Sequence, residues 1–177
     1  MATETLSATM TVPASADVVF GVLADPTSHA AIHGGAGGTS SIRTGWVDQV
    51  VDTQPITGAG QVFRMGMYHP DHPDGAYQTA NKVRELDPPR TISWATGTED
   101  ENGKLSFGGW FWRYDLTPVG AGATEVRLTY DWSEATPHAR QIIGFPPFGV
   151  EHLEASLGRL ADFIASRGPQ PGAPGPA

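Results

Sequence analysis

His69, Asn81, Glu85 and Tyr130 are the residues whose types and spacing could do chemistry in this chain. Each falls at an alternating position of a strand-like segment, in step with apolar neighbours. His69 follows Phe63, Met65 and Met67; Asn81 and Glu85 flank Val83; Tyr130 lies between Leu128 and Trp132. A histidine on an apolar face with a carboxylate partner can act as general acid and base in an aldol closure or a dehydration, because imidazole exchanges its proton near neutral pH. The plainer alternative has His69 ending its strand in solvent and Glu85 paired with an arginine. No serine–histidine–acid arrangement or paired-carboxylate spacing accompanies them.

Other chemistry-bearing residues fall in turns and short helices. The segment His69-Pro70-Asp71-His72-Pro73-Asp74 offers imidazoles and carboxylates within one hairpin. Proline restricts it beside the ligand positions, and turns collect Pro and Asp in any case, so no metal site is expected. His29 and His33 are read as helix positions that could help a site, although exposed helix histidines usually do nothing. The run His33-Gly34-Gly35-Ala36-Gly37-Gly38 follows a helix instead of opening one and carries no lysine, so it reads as a flexible connector and not as a phosphate-binding loop.

Composition narrows the class. The chain has 177 residues, enough for one domain with a stable core, and no cysteine, which removes disulfides, zinc–thiolate sites and thiol nucleophiles. Its net charge of −8, from 11 basic and 19 acidic residues without blocks, disfavours nucleic acid and anionic membranes as partners. The N-terminus lacks a basic region and an apolar run, and nowhere do about 18 consecutive apolar residues suggest a membrane span. A cytoplasmic chain without membrane insertion is expected, as a monomer or homodimer.

The elements that must position these residues can be read in order. Leu6 to Val12 suits a first strand, closed by Pro13. Ser15 caps a short helix carrying Val18, Val19, Val22 and Leu23, and Asp25-Pro26 starts a second one running to about Ile32. Strands are then expected over Trp46–Thr53, Gln61–His69, Tyr77–Leu86, Thr91–Thr98, Leu105–Pro118 and Thr124–Ser133, separated by short turn-rich links, which means an antiparallel meander. Alternation gives one apolar face with Trp110, Trp112, Tyr114, Leu116, Val126, Leu128, Tyr130 and Trp132, and one wet face with Arg64, Arg113, Asp115, Arg127 and Asp131. From about Phe148 to Arg167, Val150, Leu153, Leu157, Leu160 and Ile164 recur at helical spacing, and Gly168-Pro169 stops the helix. That helix should lie on the apolar face. The chain therefore reads as one folded domain over residues 1–167 with a disordered Pro- and Gly-rich tail at 168–177.

One strand, two short helices, a six-stranded meander and a long C-terminal helix is the order of the helix-grip fold. The chain resembles the START-like (SRPBCC) superfamily, which includes the Bet v 1 plant proteins, START domains and polyketide cyclase/dehydrase-like bacterial proteins. The matching stretches are Val12-Pro13-Ala14, Leu23-Ala24-Asp25-Pro26, Gly58-Ala59-Gly60, Val83 to Arg90 leading to Trp94, and Leu153 to Leu160. The resemblance implies an α+β fold, in which a curved antiparallel sheet of about seven strands wraps around the last helix and encloses an apolar cavity.

On that reading the cavity would be lined by Phe63, Met65, Met67, His69, Asn81, Val83, Trp94, Trp110, Trp112, Tyr130 and Trp132, with Leu153 and Leu157 from the helix. The apolar segment Ile142 to Phe148 would supply Phe145 and Phe148 as a lid, a partner patch or ordinary packing. The ligand expected is a hydrophobic small molecule of lipid, sterol or aromatic-polyketide type, with no cofactor. Two alternatives stand beside a carrier: a cyclase or dehydratase using His69 with Glu85 or Tyr130, and a co-chaperone-like module contacting a partner through Phe111 and the Phe145–Phe148 segment. Fold alone does not choose among them.

Overall fold

Thr- and Val-rich sequence opens the chain as β1 (Thr5–Val12), and Ser15 then caps α1 (Ala16–Leu23) by accepting the Val18 N–H. Asp25 caps a single 3-10 turn at Pro26–Ser28, which runs into α2 (His29–His33). The structure, a computed structural model, describes residues 3–34 and 46–168; most of the glycine-rich run and the tail from Pro169 lie outside the described residues. Six strands follow: β2 (Trp46–Val50), β3 (Val62–Tyr68), β4 (Ala76–Asp87), β5 (Thr91–Glu99), β6 (Leu105–Pro118) and β7 (Thr124–Asp131). They form one antiparallel sheet in the order β1-β7-β6-β5-β4-β3-β2, so β1 crosses over to pair with β7 and the rest is a meander. Two helices close the chain, α3 (Pro137–Ile143) and α4 (Val150–Ser166). The expected α+β helix-grip architecture is the one observed.

The concave face carries the core. Leu153, Leu157 and Leu160 of α4 share one buried core with Val126, Leu128, Ile92 and the α1 side chains Val19, Phe20 and Leu23. Val150, expected within the helix stripe, stays 39% exposed in the first turn of α4, where the helix has only begun to meet the sheet. The convex face carries ion pairs: Arg64 with Glu99 at 2.6 Å, Arg84 with Glu134 at 2.9 Å, and Arg113 with Asp115 at 2.9 Å. Such half-exposed pairs contribute little each, and here they mark which side of the sheet faces water.

Three departures from simple alternation shape the sheet. In β4 the register shifts between Val83 and Glu85, so Asn81 and Val83 point inward while Arg84 and Glu85 are both exposed. Strict parity placed Glu85 on the apolar face; the bulge corrects this, and Glu85 pairs with Arg113 on the convex side. Between the pairs Ala95–Phe111 and Gly97–Phe107, β5 has one residue where β6 has Gly108, Gly109 and Trp110, which bends both strands. A Cβ on Gly97 would lie 2.2 Å from the Ser106 carbonyl oxygen, and one on Gly109 2.0 Å from that of Glu134. β2 ends at Val50 and not at Thr53, because the Asp52 side chain accepts the Arg64 N–H at 2.8 Å and replaces the ladder there. The helix α3 was not anticipated, although Thr136, whose hydroxyl accepts the Ala139 N–H, stands before Pro137 and Gly144 ends it with φ +62°.

His29 is a core residue and not the exposed helix position expected, at 0% exposure. Its Nε2–H donates to the Leu23 carbonyl at 2.9 Å, and its ring packs on Trp94 and Phe63 at 5.3 and 5.5 Å. Nδ1 is buried without a hydrogen-bond partner. Burial pushes the imidazole down to about 4, against the opposing pull of the Leu23 carbonyl and Asp25.

Two measurements check this account. Gly109 has φ +97° and backbone in the path of any side chain, so Gly109→Ala should lower the unfolding free energy by on the order of 3 kcal/mol in urea. Gly158→Ala, on a helix with nothing within 4 Å, should raise it by about 0.5–1 kcal/mol. An unfolded chain protonates His29 near pH 6.5 while the folded chain keeps it neutral down to about 4, so its contribution is complete above 6.5 and lost as pH falls. Unfolding free energy should therefore drop by on the order of 2 kcal/mol from this one group between about pH 7 and 5. His29→Leu should reduce that drop, and an unchanged pH slope would count against the assignment.

Candidate functional site

A cavity of about 510 Å³ remains between the bent sheet and the beginning of α4. One wall is aromatic: Trp94, Trp110, Trp112 and Tyr130 come from β5, β6 and β7 at inward positions, with Trp112 and Tyr130 at 4.7 Å. The facing wall is softer, made by Met65 and Met67 of β3 with Thr79, Asn81 and Thr96. Phe148, just before α4, closes over the aromatic wall, stacked on Trp112 at 5.6 Å and tilted against Tyr130 at 4.8 Å. Trp46 and Val47 of β2 and the β3–β4 hairpin form the rim.

Of the residues expected to line a cavity, Met65, Met67, His69, Asn81, Trp94, Trp110, Trp112, Tyr130 and Phe148 do so. Phe63, Val83, Trp132, Leu153 and Leu157 are buried but stand behind the lining. Phe145 also lies outside it, stacked on Trp132 at 6.3 Å and against Trp110 at 5.6 Å. The aromatic side chains considered as partner contacts are engaged within the chain. Phe145 and Phe148 pack as described, and Phe111 lies under the Arg84 guanidinium at 4.0 Å.

Of the catalytic residues considered from sequence, Glu85 is on the convex face, whereas His69 and Tyr130 both line the cavity. His69 sits half-buried at the rim, where Nδ1 accepts the Asp71 N–H at 3.0 Å and the proton of the neutral ring falls on Nε2. Glu85 lies across the sheet from it. Tyr130 is 2% exposed, and burial pushes its phenol well above the ordinary value. Asn81 spends its amide on the Phe63 carbonyl and Thr79 at 3.4 Å, and accepts from the Thr96 hydroxyl at 2.8 Å, so this polar group in the wall is satisfied internally. In the hairpin His72 stacks on Tyr77 at 5.0 Å, and among the described residues no three His, Asp or Glu side chains group as metal ligands.

Polar groups gather instead at the opposite end, where β3 begins. His33 of α2 lines the cavity, and its Nε2 is hydrogen-bonded to the Tyr114 hydroxyl at 3.2 Å. His152 of α4 lines it as well, with its ring 4.4 Å from Phe148. Arg159, two turns further along α4, donates from Nε to the Ile32 carbonyl and from Nη2 to the Ser156 hydroxyl, both at 3.2 Å. Burial first, then the repulsion that protonated His29 or His152 would exert and the Arg159 charge, holds His33 well below its usual value, and burial with Arg159 pushes His152 down to about 4. Both imidazoles are neutral at physiological pH. Sequence reading named His29 and His33 as able to help a site but not their grouping with Tyr114, His152 and Arg159, although His152, Ser156 and Arg159 share one side of the last helix.

Comparison with known proteins agrees with the geometry. No curated protein sequence matches the chain. Among solved structures, a protein from Staphylococcus epidermidis superposes with a TM-score of 0.63 at 15% identity, over 98% of this chain and 96% of that one. Protein Ms6760 from Mycobacterium smegmatis gives 0.61 at 19% identity, over 93% of each chain. The Aha1 dimer from Colwellia psychrerythraea gives 0.53 at 16% identity, over 90% and 95%. At these identities the likeness is one of fold. The family profile described as polyketide cyclase / dehydrase and lipid transport matches residues 3–162, so the chain belongs to that family.

Proposed function

We propose that this chain is a carrier for a hydrophobic small molecule, of lipid, sterol or aromatic-polyketide type, held between the concave sheet and α4. The observation that carries the reading is the cavity itself. Its volume of about 510 Å³ lies within the range of small-molecule sites, and its walls are tryptophan, tyrosine, phenylalanine and methionine with few polar atoms left to satisfy. A core of this size would normally fill such a space, since an unfilled apolar volume forfeits contacts on every side. Met65 and Met67 can repack around ligands of different outline, and Trp94, Trp110 and Trp112 offer flat faces to a ring system. The family description, which joins polyketide cyclases and dehydrases with lipid transport, supports an apolar guest and leaves its identity open.

Native mass spectrometry of the purified chain, beside a denatured control, should reveal a co-purifying apolar compound. Titration with pyrenebutanol, read by quenching of the cavity tryptophans, should saturate at one site. Met67→Trp, which places a larger ring in the cavity, should weaken that binding at least about tenfold without lowering the melting temperature. Equal affinity in wild type and Met67→Trp would reject this cavity as the site.

A further inference from the structure

The cavity's polar groups have an uneven chemistry. The lining holds His33, His69, His72 and His152 but a single carboxylate, Asp71, although the chain as a whole carries a net charge of −8. Asp71 belongs to the hairpin that follows β3, about 20 Å along the strand from the end where His33 and His152 meet. At that end the groups are imidazoles, a phenol and a guanidinium.

His152 faces the cavity with no hydrogen-bond partner for its ring among the described residues. His33 and His152 share Trp112 as a neighbour, each imidazole 6.3 Å from that indole. Arg159 stands behind them, bonded to a carbonyl and a hydroxyl and to no carboxylate among the described residues. By contrast Arg64, Arg84, Arg113 and Arg140 each meet an acid. We propose that this end of the cavity receives one weak oxygen acid, a carboxylic or similarly acidic group, carried by the otherwise apolar ligand. The inference rests on the carrier reading above and specifies the chemistry of its guest.

The physical reason is charge balance in a dry site. Protonating His33 or His152 alone is opposed by burial and by Arg159. An oxygen anion placed between them reverses the second effect and gives the proton a partner. Near neutral pH the guest arrives as its anion: an imidazole nitrogen takes one proton from solvent, and the anion's oxygen accepts from that N–H. Anion and proton together add no net charge, so the filled site leaves the charge of the chain unchanged. The other ionisable groups around this pair are His29 behind His33 on α2, Tyr114 from β6, and Arg159 with the exposed Glu151 on α4. A neutral alcohol of the same shape gains one hydrogen bond and none of the charge pairing.

The test uses the full chain and two probes of one shape, pyrenebutyrate and pyrenebutanol, titrated by calorimetry near pH 7 in two buffers of different ionisation enthalpy. Pyrenebutyrate should bind at least about tenfold more tightly than pyrenebutanol and take up close to one proton. His152→Gln, at a half-buried position where the fold should tolerate an amide, should bring the ratio of the two affinities near unity. Equal affinities in the wild-type chain overturn the acid site and leave the carrier reading standing. A tenfold preference without proton uptake, or one retained in His152→Gln, overturns the role given to the imidazoles. Binding of neither probe overturns the carrier reading, and the acid site with it.

Discussion

The concave sheet has more apolar surface than one helix can cover. α4 lies against β1 and the α2 end, and Leu153, Leu157 and Leu160 fill the space beneath it. Further along, β3 to β6 curve away, and among the described residues no second long helix follows them. Phe148 and α3 cover only part of the gap, so the remainder is a cavity. The placement of every candidate residue follows from this shortage: side chains near α4 become core, and those beyond it become lining. Phe63 and Met65 lie two residues apart on one face of β3, yet the first is packing and the second is wall.

The bend itself depends on a few backbone positions. Where β5 and β6 lose register, the glycines at 97 and 109 admit backbone approaches that a Cβ would block, and Trp110 and Trp112 swing onto the same side as Trp94. The bulge in β4 acts on chemistry more than on shape. By turning Glu85 outward it leaves the inner wall of that strand to Asn81 and Thr79, which satisfy each other. A carboxylate that could have favoured a protonated histidine is thereby absent from the inner wall of β4, and desolvation keeps the cavity imidazoles neutral.

Much of this was legible in the sequence, for reasons tied to particular residues. Period-two alternation in β6 and β7 is unbroken from Trp110 to Leu116 and from Val126 to Trp132, so their inward faces could be assigned directly. Alternation failed at Glu85, because a bulge inserts one residue without changing composition. The sequence stretch before α3 held its cap, proline and terminal glycine, but seven residues give too short a period to declare a helix. The polar end was the hardest to see. His33 and Tyr114 are 81 positions apart, and Arg159 reaches the Ile32 carbonyl across 127. Only the closing of the sheet brings them together, so no local pattern announces the cluster. The glycine-rich connector and the tail expected to be disordered lie outside the described residues and add nothing to either side of this comparison.

A sheet that stays partly uncovered to keep a cavity also has an open border. At β2 that border is five residues long, about 17 Å. Its register shifts between Val47 and Gln49, with the charged Asp48 at the irregularity, and beyond Val50 the Asp52 carboxylate occupies the next donor of β3. A strand from another molecule would find a short, kinked and charged template where a flat one would invite continuation. The same irregularities that end β2 early thus make the edge of an apolar, half-open sheet a poor template for a further strand.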